Sequence, residues 1–152
     1  MILSGHILIG AALGVRMSNP VLGLLSAFLS HYIIDTLPVW EYKIENIKKG
    51  QWNRSRPDFL KVFLDIAIGF ILVFIFSKDI FLGTVGGFLA MIPDGLTLLL
   101  KIFPKTKILN IHHRLHAKFN WFRSLENKKT GVLPIFLEIY VFLAVIYLST
   151  LR

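Results

Sequence analysis

Five apolar runs, at positions 2–17, 20–38, 58–77, 80–102 and 131–150, constrain this chain more than any other feature. Each is long enough, or nearly so, for a helix to cross about 30 Å of hydrocarbon, where every backbone N–H and C=O must find its partner within the protein. That requirement predicts an all-α fold: one integral-membrane domain spanning residues 1–152, a polytopic helical bundle of about five spans. The apolar share of 55% and the mean hydropathy of +0.65 exceed what a water-soluble domain usually carries. The first run opens "MILSGHILIG", without the basic segment that begins a secretory signal, and reads as a retained helix.

The connections alternate in character. "VRMSNP" and "SKD" are tight turns that pair the first four runs into two hairpins, whereas residues 39–57 and 103–130 are long and basic. Of the 17 Lys and Arg, only Arg16, Lys78 and Arg152 lie outside 43–61 and 101–129. This bias places both long segments in the cytoplasm, with the N-terminus inside and the C-terminus outside, as in a prokaryotic plasma (inner) membrane protein. It also accounts for the net charge of +8 without nucleic acid as a partner; membrane lipids are the partners expected. Residues 110–126 are basic and aromatic, and predict an amphipathic helix at the cytoplasmic interface, with Phe119, Trp121 and Phe122 as anchors.

Counting outward from each tight turn puts the ionisable residues in one layer. His6, His31 and Asp35 fall within about 6 Å of one another in depth, and Asp65 and Asp94 flank the second turn almost symmetrically. Glu138 sits about 10 Å into the fifth run. An unpaired carboxylate in hydrocarbon costs about 2.5–3.5 kcal/mol or more, so such a set needs compensation. A divalent cation would supply it. With no cysteine in the chain, the ligands must be His, Asp or Glu, a donor set that suits zinc or manganese. His31 and Asp35, at i and i+4, share a helix face and can reach one ion. In "IHHRLH", His112 and His116 or His113 and His116 form a second chelating pair on the same side. The competing reading is a set of interhelical hydrogen bonds that fix the bundle, with Asp65 paired to Lys61 or solvated in a crevice.

Four motifs, "SGH" with His6, "SHYIID" with His31 and Asp35, "IPDG" with Asp94 and "HHRLH" with His113 and His116, resemble those of membrane-bound metal-dependent hydrolases related to the inner-membrane proteins described as LexA-binding. In that family the Ser-His-x-x-x-Asp helix comes late, and here it comes second. A compact variant with a following Trp-acidic-Tyr is closer still, and "PVWEY" fits it. The resemblance implies hydrolysis, with the substrate undefined; the basic loops, with Lys48, Lys49, Arg54 and Arg56, point to an anionic lipid or phosphoester. His6, His31, Asp35 and Asp94, joined by His113 or His116, are the expected metal ligands. Asp65 or Glu41 is the expected proton acceptor from an activated water.

Lipid-phosphate phosphatases are a second resemblance, through Lys49, Arg56-Pro57, Ser4-Gly5-His6 and His31-x-x-x-Asp35. There the order of elements differs, and Leu25 stands where a phosphate-clamping Arg is required. Neither Ser4 nor Ser30 lies in a nucleophile elbow. Gly83, Gly86 and Gly87 lack the partners of a phosphate loop and are expected to permit close helix packing. The alternative of a different class is a non-catalytic scaffold or ion carrier. Against a proton path, the charged groups crowd to one side of the membrane instead of spreading across it.

Overall fold

The computed structural model describes residues 3–36 and 42–119, together with Ile139 and Leu143. Over these residues the chain is all-helical. Six α-helices follow one another: α1 (Leu3–Arg16), α2 (Pro20–Ile34), α3 (Glu45–Lys48), α4 (Arg56–Phe76), α5 (Ile80–Ile102) and α6 (Lys107–Phe119), with a 3₁₀ turn at Trp52–Arg54. Ile139 and Leu143, within the fifth apolar run, are helical and exposed; the rest of that run, Glu138 included, lies outside the described residues.

Both tight turns end in side-chain caps. Asn19 Oδ1 accepts from the backbone N–H groups of Val21 and Leu22 at 3.0 and 3.3 Å, and Pro20 opens α2 where no intrahelical donor is needed. Asp79 Oδ1 accepts from Leu82 N at 2.8 Å and starts α5 in the same way. Two antiparallel hairpins result. The second has helices of 21 and 23 residues, long and apolar enough to cross a membrane; the first has helices of 14 and 15. The run expected to reach residue 38 therefore closes earlier. Asp35 N bonds to His31 O and Thr36 N to Ile33 O, while Thr36 Oγ1 donates to Ile33 O at 2.6 Å, and these bonds end α2 in a turn.

α1 is the central helix, packed against α2, α4 and α5. Its Ile7, Leu8 and Ala11 form the core with Val73 of α4. Gly10 of α1 and Gly86 of α5 meet backbone to backbone: a Cβ on either would overlap the other's carbonyl oxygen. Absent side chains at these two positions let α5 approach α1 closely enough for dispersion contacts along both helices. The outer faces carry the apolar bulk instead. Val21, Leu25 and Ile33 of α2 and Phe63, Ile71 and Phe74 of α4 are all more than half exposed. Polar groups share the inside with that core: His6, His31, Asp35, Asp65 and His116 are buried.

Candidate metal centre

Three helices bring donor atoms to one point. α2 supplies His31 and its C-cap residue Asp35, α5 supplies Asp94, and α6 supplies His116. His31 Nε2 lies 3.3 Å from Asp35 Oδ2 and 3.7 Å from Asp94 Oδ1. His116 Nε2 lies 3.0 Å from Asp35 Oδ2 and 3.9 Å from Asp94 Oδ1, and the two imidazole nitrogens are 3.0 Å apart. One donor atom from each residue thus falls within 4.8 Å of all the others. Around an ion with bonds of about 2.0–2.2 Å, neighbouring ligand atoms stand about 3–3.5 Å apart, so the inner three already have the spacing of a coordination shell.

The surroundings fix how these groups point. Pro93 has no N–H to give to the Leu89 carbonyl, which loosens α5 one residue before Asp94. One position along, the Ala90 carbonyl takes His31 Nδ1 at 2.8 Å. A carbonyl only accepts, so Nδ1 carries the proton and Nε2 of the neutral ring presents its lone pair to the cluster. That is the second contact typical of a metal-ligating histidine.

His6 is fully buried, its ring stacked on that of His31 with centroids 4.3 Å apart. Its Nε2 is 3.2 Å from Asp35 Oδ1 but out of line for a hydrogen bond, and neither ring nitrogen has a hydrogen-bond partner among the described residues. An unsatisfied buried polar group costs about 1–3 kcal/mol. The four donors beside His6 form a group that could hold a metal ion, and imidazole nitrogen and carboxylate oxygen are ligands common to several divalent metals.

The other expected site residues go elsewhere. His113 is half-buried on α6 and does not join the four-residue group, so His116 is the member of that motif which reaches it. His112 Nε2 meets the Tyr32 hydroxyl at 3.1 Å; burial, and secondarily the nearby His116, hold its pKa below the ordinary imidazole value. Asp65 serves the start of α1. Its Oδ2 accepts from Leu3 N at 2.6 Å and from the Tyr42 hydroxyl at 3.1 Å, and its Oδ1 from Ser4 N at 3.2 Å. Both oxygens are thereby engaged in capping, not in the cluster or with Lys61. Lys61 lies 4.0 Å from Asp58 and donates to Lys43 O. Glu41 lies outside the described residues.

Sequence reasoning passed over Asp58, whose Oδ2 accepts from Asn46 N and Ile47 N at the start of α3. The available signal was a lone acid immediately after Arg56-Pro57 at a helix start. Comparison with family models, with curated proteins and with solved structures finds no match to this chain.

Proposed function

We propose that the chain is an integral-membrane, metal-dependent hydrolase acting on a lipid or phosphoester, of the kind its Gly-His, Ser-His-x-x-x-Asp and Pro-Asp motifs resemble. The observation that carries this reading is the convergence of His31, Asp35, Asp94 and His116 from three helices. Their buried histidines and carboxylates and largely apolar exterior support placement in a bilayer, and the five apolar runs carry our reading of about five spans. The basic segments at 39–57 and 103–130 support a site that opens to the cytoplasm.

His31, Asp35, Asp94 and His116 would hold a divalent ion, which would supply Lewis-acid polarisation of an ester or phosphoester and activation of water at neutral pH. The chain's own residues do the rest. Asp35, nearly fully buried, balances the charge of the centre, and His31 is locked in orientation by the Ala90 carbonyl. Asp94 is the least buried of the four, with a side chain 37% exposed. Its Oδ1 faces the histidines, and on this reading the exposed carboxylate takes a proton from incoming water. We assign Asp94 that role in place of Asp65, whose two oxygens cap the start of α1.

The test is elemental analysis of protein purified from membranes without chelator. About one zinc or manganese per chain is expected, falling at least tenfold in His31→Ala and Asp35→Ala variants that keep their helical circular dichroism. Metal-free protein whose variants simply unfold would overturn the hydrolase and favour the scaffold, a reading to which the 3.0 Å contact of His116 with Asp35 lends itself as a plain hydrogen bond.

A further inference from the structure

Asp94, alone of the cluster, also lines a cavity of about 310 Å³ walled by α3, α4 and α5, with Leu3 of α1 and the residues just before α3. Its wall is apolar, with Phe59, Val62, Ile66 and Leu98 among the contributors, and Lys48 of α3 and Lys101 of α5 both line it. We infer that this cavity is a substrate subsite for a single hydrocarbon chain carrying an anionic head, the head held between the two lysines and Asp94's side of the cluster.

Three observations carry the inference, which rests on the hydrolase reading for what happens to the bound molecule. The volume lies at the lower end of the range of about 300–1,000 Å³ seen in small-molecule sites, and its largely apolar wall suits a hydrocarbon chain. The lining's neutral polar groups are already occupied: the Tyr42 hydroxyl donates to Asp65, and the Thr97 hydroxyl to the Pro93 carbonyl. A sugar or a base would find little to bond, so recognition falls to charge. Lys48 and Lys101 are exposed and have no ion-pair partner among the described residues, unlike Lys49 and Lys61, which approach Glu45 and Asp58. Two free ammonium groups against one carboxylate select an anion.

Gly95 offers a way to test the cavity without touching a ligand. It lines the space, and a Cβ built on it meets nothing within 4 Å, so a larger side chain fills the cavity instead of displacing the helix. In phosphatidylcholine nanodiscs, binding of dodecyl phosphate, inorganic phosphate and dodecyltrimethylammonium is measured by calorimetric titration, with empty discs subtracted and metal content assayed in parallel. Dodecyl phosphate is expected to bind at least tenfold more tightly than either of the others. Gly95→Leu, or Val62→Phe from the facing wall should the first fold poorly, weakens it at least tenfold at unchanged metal content. The paired Lys48→Ala and Lys101→Ala substitutions abolish the preference for phosphate over trimethylammonium.

Inorganic phosphate binding as well as dodecyl phosphate, or indifference to both filling variants, overturns the subsite. Binding of dodecyl phosphate that Gly95→Leu blocks in a protein devoid of metal keeps the subsite and removes the hydrolase. Full metal occupancy with no chain binding does the reverse.

Discussion

Asp35 divides its carboxylate between two sides of the cluster, Oδ1 toward His6 and Oδ2 toward His31 and His116. The two sides are unequal, because His31 is tied to Ala90 while His6 lacks a hydrogen bond among the described residues. Replacing an unsatisfied buried polar group by an apolar one of similar size removes a desolvation cost. His6→Leu is therefore expected to leave the metal-free protein at least as thermally stable as the parent, while lowering affinity for added zinc; a midpoint several degrees lower in a thermal scan would show that His6 holds the bundle together. Four of the five residues that meet here, His6, His31, Asp35 and Asp94, were legible from their depth relative to two turns. The choice of His116 over His113 was not, since it depends on how α6 is rotated about its axis, and tertiary packing sets that angle.

Among the helices, α1 owes its start to a residue far along the chain. Asp65 reaches across from α4 to the N–H groups of Leu3 and Ser4, which no intrahelical carbonyl serves. Truncation to Asp65→Ala should cost about 1–2 kcal/mol, as for loss of a helix cap, and be visible as a lower unfolding midpoint with metal stoichiometry retained. Loss of metal at unchanged stability would instead return Asp65 to the site. A buried acid in an apolar run signals either chemistry or a long-range cap, and sequence alone does not separate the two. α6 was readable in part: it covers Lys107–Phe119 of a helix expected over 110–126, and Trp121 and Phe122 lie outside the described residues. Its Ile108, Ile111 and Leu115 point outward and are at least half exposed, while His112 and His116 turn toward Tyr32 and the cluster, the two-faced pattern expected of an interfacial helix. The short α3 and the 3₁₀ turn had no periodic signal, being held by Asp58 and by local backbone bonds.

For the molecule as a whole, the proposed membrane orientation places both tight turns on the outer face and both basic segments within the cytoplasm. Single cysteines test this directly in a chain that has none of its own. Ser18→Cys and Lys78→Cys should react with an impermeant maleimide in intact cells, and Lys49→Cys and Lys105→Cys only after lysis. The opposite pattern would invert the topology, and protection of all four until lysis would overturn the spanning hairpins. The two-hairpin plan was legible because turn residues and charge bias act locally. The cavity was not, because its walls come from four helices and the segment before α3, whose spacing no single segment encodes.

The first hairpin leaves a geometric debt. Helices of 14 and 15 residues span only about 21–23 Å, well short of a hydrocarbon slab about 30 Å thick. In the bilayer placement proposed above, lipids adjoining that side would compress or splay to cover it, pinching the acyl region beside His6 and His31. A head-group linkage would then have less far to travel to reach them, and the proposed function would favour thin bilayers.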